Sequence, residues 1–267
     1  MIGDDPLDLA GQIAFVTGAG QGAGREIALT LAKHNAGGIA VNDFVKQRAQ
    51  AVAEEIKALG VPAVAAAADV SDADALDTAI THAEQQLGTF SILVNNAGNA
   101  GPTDAMNSSP LFWDSPRDDW EKYFKTNLFG VMNCCHRILP GMTKAGGGRV
   151  VTIVSDAGRI GESRLTTYGA AKAGAAGFMR GLAKEAGRFG VTCNSISLST
   201  LEPPLPEAQL QEYLASERAQ KHVSRYVVRR FGKPSDVAMM TLFLCSDAAS
   251  WITGQTYPVN GGYTFAV

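Results

Sequence analysis

The sequence predicts an α/β fold in which one doubly wound parallel sheet carries helices on both faces. Three observations lead there. Strand-like apolar runs alternate with helical patterns along 267 residues. A glycine-rich turn joins the first apolar run to the first helical one. No internal repeat or low-complexity linker divides the chain, so one domain over 1–267 is expected.

The elements follow in order. Ile13-Ala14-Phe15-Val16 opens a strand expected over 13–17, and a helix follows over 24–34. Further strands are expected over 38–42, 63–67, 91–95, 149–154, 191–196 and 256–259. Helices are expected near 46–59, 72–87, 117–140, 167–189 and 235–246. Ile92-Leu93-Val94 and Val150-Val151-Thr152-Ile153-Val154 are apolar without alternation, as interior parallel strands covered on both faces should be. Ligands of such sheets sit beyond the carboxyl ends of the strands, where strand order reverses. Two irregular segments should flank that edge. One covers about 98–116 and holds Pro102, Pro110 and Phe112-Trp113; the other covers 198–230 and includes Leu201-Glu202-Pro203-Pro204-Leu205-Pro206. Both are expected to cover substrate.

Composition narrows the function. A net charge of −3 gives a nucleic-acid partner no electrostatic support. No apolar run approaches a membrane span, and Met1–Pro6 has neither a basic nor an apolar signal region. Cys134, Cys135, Cys193 and Cys245 form no CxxC pair. They read as reduced core thiols of a cytoplasmic protein, and with the four histidines far apart in sequence no metal site is expected.

Three local patterns carry chemistry. Thr17-Gly18-Ala19-Gly20-Gln21-Gly22-Ala23-Gly24 lies between strand and helix. Its glycines let backbone approach a pyrophosphate, and the amides of the helix start face the anion. Asp43 closes the second strand, where a carboxylate can accept from both hydroxyls of a ribose; a plain strand-end turn would look the same. Tyr168 and Lys172 stand one helical turn apart on one face. An ammonium near a phenol favours phenolate, and a drop of about three pKa units corresponds to roughly 4 kcal/mol. Such a phenol could take the proton of an alcohol as hydride leaves its carbon. Ser155, at the end of the preceding strand, could bond the same substrate oxygen or simply close a turn.

Together these residues resemble the short-chain dehydrogenases/reductases over nearly the whole chain. Thr17–Gly24 fits that family's TGxxxGxG turn, Asn95-Asn96-Ala97-Gly98 its NNAG strand end, and Tyr168-Gly169-Ala170-Ala171-Lys172 its YxxxK. Ser155 precedes Tyr168 by thirteen residues, Asn127 falls at the place of the catalytic Asn, and Asn260-Gly261-Gly262 resembles the C-terminal turn. The resemblance implies a Rossmann-type fold and named roles. Tyr168 would be general acid/base, Lys172 would lower its pKa and hold the nicotinamide ribose, and Ser155 would orient the substrate oxygen. Asn127 would hold a water linking Lys172 to solvent, although an Asn bonding backbone at a helix kink would stand there too. Gly18, Gln21, Gly22, Ala23 and Gly24 would surround the diphosphate and Asp43 the adenosine ribose. Asp69 and Val70 would flank the adenine; Asn95, Ala97 and Gly98 would line the ribose and sheet edge.

The cofactor expected is NAD. Phe44 rather than Arg follows Asp43, Gln21 brings no positive charge to the turn, and Asp43 would repel a 2′-phosphate. Lys46 and Arg48 should face solvent. The chain departs from the family after Ile196: the usual Pro-Gly is missing, and Leu201 is left to bond the carboxamide through its backbone, with Thr200 offering a hydroxyl in place of the absent Thr. Met106, Leu111, Phe112 and Trp113 either roof an apolar substrate or pack on the surface. The expected substrate is an apolar or alicyclic secondary alcohol or ketone. Ser155–Gly161 also resembles dehydrogenases of cyclic hydroxyacyl-CoA thioesters, and Lys221, Arg225, Arg229 and Arg230 could bind CoA phosphates or be a solvated helix face. The alternatives are a 3-oxoacyl thioester reductase using NADPH and a non-catalytic nucleotide-sensing protein on the same fold. The resemblance further implies a homotetramer joined through the small-residue helix from Thr167 and the helix containing Asn127.

Overall fold

The computed structural model describes residues 5–101 and 109–265. Seven strands form one sheet in the order β3-β2-β1-β4-β5-β6-β7, every pair parallel. They are β1 Ile13–Val16, β2 Gly38–Asp43, β3 Ala63–Ala67, β4 Ile92–Asn95, β5 Gly148–Ser155, β6 Val191–Leu198 and β7 Thr256–Val259. The chain runs outward from β1 to β3, then crosses back to β4 on the other side of β1. That reversal leaves a crevice at the carboxyl ends of β1 and β4.

Alternation along the strands builds two apolar layers. Ala14, Val16, Ile92 and Val94 join one buried cluster with Ile27, Ile56 and Leu242, while Phe15 and Leu93 join a second with Ile80, Ile138 and Met179. Both faces are therefore sealed, and the polar functions gather at the edge.

Helices α1 Gly22–Lys33, α2 Lys46–Ala58 and α3 Ala73–Leu87 follow the first three strands. The helix expected over 117–140 is composite. It comprises α4 Asp118–Phe124, a π-turn Lys125–Phe129, and α5 Gly130–Ala145. It runs past Pro140 to Gly146, whose left-handed φ of 78° ends it. The short α6 Ala157–Ile160 precedes α7 Thr166–Ala186. The segment 198–230 is not irregular, as the sequence suggests, but carries α8 Glu207–Ala215 and α9 Glu217–Val223. Ser216 caps α9 through Ala219 N–H, and Ala219, Val223, Tyr226 and Phe231 make a small core of their own. Helix α10 Pro234–Cys245 closes the layer over α1 and β5. All four cysteines are buried and free, and burial pushes Cys134, Cys193 and Cys245 up to about 12. Among the described residues no helix is long and apolar enough to cross a membrane.

Candidate active site

A cleft of about 590 Å³ opens at the strand-order reversal. Gly18, Gln21, Gly22, Ala23, Gly24, Asp43, Asp69, Val70, Ala97 and Gly98 line it, as do Asn42, Phe44, Ala68, Asn96, Asn99 and Thr126. The turn is held by backbone. A Cβ on Gly24 would stand 2.2 Å from Gly18 O, and one on Gly18 would stand 2.8 Å from Ala97 Cα. Asn96 Nδ2 donates to Thr17 O and Gly18 O at 3.0 and 3.1 Å, while Thr17 Oγ1 accepts from the Asn96 and Ala97 amides. The β1 turn and the β4 end are thus one unit.

The residues present fit a dinucleotide. Gly22 has φ 56°, and a Cβ there would meet no protein atom within 4 Å, because it would enter the cleft. The first turn of α1 has no side-chain cap and no acidic residue, so its amides suit an anion. Asp43, only 4% exposed, accepts from the Gly20 and Val45 amides at 3.1 and 2.9 Å; its remaining lone pairs can meet ribose hydroxyls. Arg48 lies closer than the sequence suggests: its Cβ would crowd a Cβ on Gly20 at 2.6 Å, although its side chain is exposed.

Two expected contacts stand elsewhere. Asn95 does not line the cleft. Its Nδ2 donates to Thr152 Oγ1 at 3.2 Å and to Cys135 Sγ at 3.5 Å inside the sheet, since alternation points Asn95 away from the edge and leaves it to Asn96. Leu201 pairs with Gly232 in a one-residue parallel bridge, and its side chain lines a different recess. The bridge bonds run from Gly232 N to Thr200 O and from Glu202 N to Gly232 O, so the N–H and C=O of Leu201 are not used in it.

Beyond the cleft, a recess of about 270 Å³ is lined by Ser155, Tyr168, Leu198, Thr200 and the covering segments. Tyr168 and Ser155 line it side by side, and Ser155 Oγ accepts from the Ala157 amide at 3.2 Å. Burial pushes Tyr168 above the ordinary phenol value, and the neighbouring Ser155 hydroxyl opposes this. The lowering expected from Lys172 is not what dominates here. Lys172 is 4% exposed, and its Nζ donates to Ile153 O at 2.8 Å. Burial brings that ammonium itself down to about 8.

Asn127 completes the group. It lies in the π-turn, fully buried; its Nδ2 donates to Asn99 O and Tyr123 O at 2.8 and 3.0 Å, and its Oδ1 accepts from Asn99 N. A Cβ on Gly98 would stand 3.1 Å from Asn127 Oδ1 and 3.2 Å from Lys172 Nζ, so these two groups meet across Gly98. Asn127 thus bonds backbone at a helix irregularity, and its Oδ1 and Lys172 Nζ both lie against Gly98.

Sequence reasoning missed what aligns the two elements that carry Ser155 and Tyr168. A Cβ on Gly169 would stand 2.6 Å from Ala157 O, and one on Gly158 2.8 Å from Ala173 N, so α6 touches α7 backbone to backbone. Asp156 is 2% exposed. It accepts from Ser197 Oγ at 2.6 Å, Arg159 Nη1 at 2.8 Å and Asn260 Nδ2 at 2.7 Å, which ties the strand end beside Ser155 to the C-terminal turn. Of the loop aromatics, Phe112 stacks on Trp120 at 5.2 Å beside a small recess that includes Tyr168, while Trp113 is 77% exposed. Pro102 and Met106 lie outside the described residues. The basic cluster is largely engaged: Arg225 bonds Tyr263, Arg229 bonds Ser224 O, and Arg230 pairs with Asp236.

Comparison with known proteins agrees with this geometry. The family model described as Enoyl-(Acyl carrier protein) reductase matches residues 18–264. The chain is 36% identical over 262 residues to 7α-hydroxysteroid dehydrogenase of Escherichia coli (strain K12), covering 98% of both. It is 36% identical over 250 residues to 3-oxoacyl-(acyl-carrier-protein) reductase of Staphylococcus aureus (strain Mu50), covering 93% of this chain and 96% of that one. A solved 7α-hydroxysteroid dehydrogenase complexed with NADH and 7-oxo glycochenodeoxycholic acid superposes with a TM-score of 0.86 at 35% identity over 98% of each chain. The chain belongs to the short-chain dehydrogenase/reductase family and is an oxidoreductase of the alcohol dehydrogenase/ketone reductase type.

Proposed function

We propose that the protein moves hydride between NAD and a secondary alcohol or ketone, with Tyr168, Ser155, Lys172 and Asn127 as its catalytic group. The observation carrying this reading is that Tyr168 and Ser155 line one recess, while buried Lys172 and Asn127 both lie against Gly98. When bound, the nicotinamide supplies or takes the hydride. The protein's part is to hold the substrate oxygen and to move its proton. Ser155 and Tyr168 can both bond that oxygen. Because burial raises Tyr168, the phenol is protonated at neutral pH and ready to give its proton to a ketone oxygen. Alcohol oxidation requires that proton to leave first, so its rate should climb with pH more steeply than ketone reduction does.

NAD is favoured over NADP by Asp43, whose carboxylate lines the cleft and would face a 2′-phosphate with like charge. Gln21, Gly22 and Gly24 would meet the diphosphate, Asp69 and Val70 the adenine, and Ala97 and Gly98 the sheet edge. Initial rates with each cofactor at limiting concentration test this. At least a tenfold higher kcat/KM for NAD is expected (about 1.4 kcal/mol), and equal values would overturn the preference. The thioester alternative draws on the S. aureus relative, but Arg225 and Arg230 are already paired, which weakens a phosphate-binding role for them.

Assembly as a homotetramer is part of this proposal. Met132, Leu139, Pro140, Phe178 and Leu182 line an apolar groove of about 610 Å³ on the outer faces of α5 and α7. Sedimentation should show a species of four chains; a monomer at micromolar concentration would contradict it.

A further inference from the structure

The recess beside Ser155 and Tyr168 has a polar end. Glu162, Thr200, His222 and Tyr263 line it together with Leu165 and Leu198. Tyr263 Oη donates to Glu162 Oε2 at 2.8 Å and accepts from Arg225 Nη2 at 2.5 Å. The Arg225 guanidinium also lies over the Tyr263 ring, 4.9 Å from its centroid, and 3.9 Å from Glu162 Oε1. Burial pushes Tyr263 up to about 12, so its one proton stays on the phenol and is committed to Glu162. Burial and then the Arg225 charge push His222 below its ordinary value, so the imidazole is neutral at pH 7, with Nε2 3.4 Å from Thr200 Oγ1.

These contacts do not build the sheet. They join the loop before α7, the turn after α9 and the C-terminal segment, three parts distant in sequence. A carboxylate offers about four acceptor positions. Among the described residues Tyr263 takes one, and Arg225 stands at long range from another. An alkyl group filling this end would strip water from Glu162 and return nothing, which leaves a buried acceptor unmatched. A carboxylate there would meet like charge. A hydroxyl would donate to Glu162 and could accept from the imidazole.

We propose that Glu162, held by Tyr263 and Arg225, is a specificity-determining acceptor for a second hydroxyl of the substrate. The substrate class is then a secondary alcohol or ketone that carries a further neutral hydroxyl group. This rests on the hydride-transfer reading above and narrows its substrate.

The test compares cyclohexanol with the three positional isomers of cyclohexanediol, by initial rates of NADH formation, in the wild type and in Glu162→Leu and Glu162→Gln. NADH binding is followed separately by fluorescence titration. Sites built to bond a hydroxyl discriminate strongly against analogues lacking it, so the best diol should exceed cyclohexanol in kcat/KM by about 10- to 100-fold. In Glu162→Leu that ratio should fall to within about threefold of unity, while Glu162→Gln, which keeps one acceptor, should retain most of it. The ratio is internal to each variant, so a loss of folded protein cancels. A wild-type ratio near unity, a ratio unchanged in Glu162→Leu, or no turnover of any of these alcohols by protein that binds NADH would overturn the inference. Failure to bind NADH would overturn the hydride-transfer reading instead.

Discussion

The two halves of the sheet's carboxyl edge are made of different material. Around β1, β2 and β4 the cleft is made chiefly of backbone: glycines pressed against carbonyls, uncapped amides at the start of α1, and a turn tied to its neighbouring strand by Asn96 and Thr17. Around β5, β6 and β7 the recess is made of side chains, with Asp156 bonded to Asn260 and Glu162 to Tyr263 across most of the C-terminal half. A backbone site accepts one ligand shape and tolerates little substitution. A side-chain site can change its ligand by changing residues. The difference suits a protein whose first half holds a common dinucleotide and whose second half selects a substrate.

The largest expected effect breaks the second half alone. Asp156→Ala removes the acceptor shared by Arg159, Ser197 and Asn260 and leaves the fully buried Ser197 hydroxyl without it. Loss of one partner of a buried pair costs about 3–5 kcal/mol. Urea melts should show a loss of that order, while NADH affinity of the remaining folded protein stays within about twofold. A stability change under about 1 kcal/mol would mean the three bonds do not hold this end together.

Two glycines sharpen the contrast within the first half. Gly24→Ala places a methyl 2.2 Å from Gly18 O, a backbone clash with no flexible partner to move, and should cost about 3 kcal/mol or more. Gly22→Ala meets no protein atom but adopts a left-handed φ of 56° and fills the cleft. It should cost only about 1–2 kcal/mol of stability and weaken NADH binding more than tenfold. Equal losses of stability in both would contradict the difference between them, a side of Gly22 open to the cleft and a side of Gly24 pressed on backbone.

Lys172 gives a pH signature at the boundary of the two halves. Burial lowers its pKa from the ordinary 10.5 to about 8. Between those values the unfolded chain binds the proton and the folded chain does not, so the contribution of Lys172 to stability rises with pH across that window. Below pH 8 the ammonium is buried at a constant cost of at most about 3 kcal/mol, partly offset by its bond to Ile153. Urea melts of wild type and Lys172→Met at about pH 7, 9 and 10 should therefore converge, or move in favour of wild type, as pH rises. A difference independent of pH would contradict the lowered value.

Legibility in the sequence follows the same division. All seven strands lie within two residues of where apolar patterning places them, and the turn residues that line the cleft all fall between Gly18 and Gly24. Contacts made by adjacent backbone leave a local pattern. Asn95 shows the limit, because the choice between Asn95 and Asn96 depends on which face the last residue of β4 presents. Helices α8 and α9 read as loop because Pro203, Pro204 and Pro206 dominate the composition just before them, yet Pro206 immediately precedes α8 and Ser216 caps α9. Asp156 and Glu162 left no signal at all: their partners lie about a hundred residues away, at Asn260 and Tyr263.

The most direct test of the whole account is Tyr168→Phe, assayed for turnover and titrated with NADH. The substitution removes one hydroxyl beside Ser155 and leaves the cleft lined by Gly18 to Gly24 untouched. Turnover should fall by about 10²- to 10⁴-fold with NADH affinity within about threefold of wild type. Turnover within tenfold of wild type would contradict Tyr168 as the group that moves the proton.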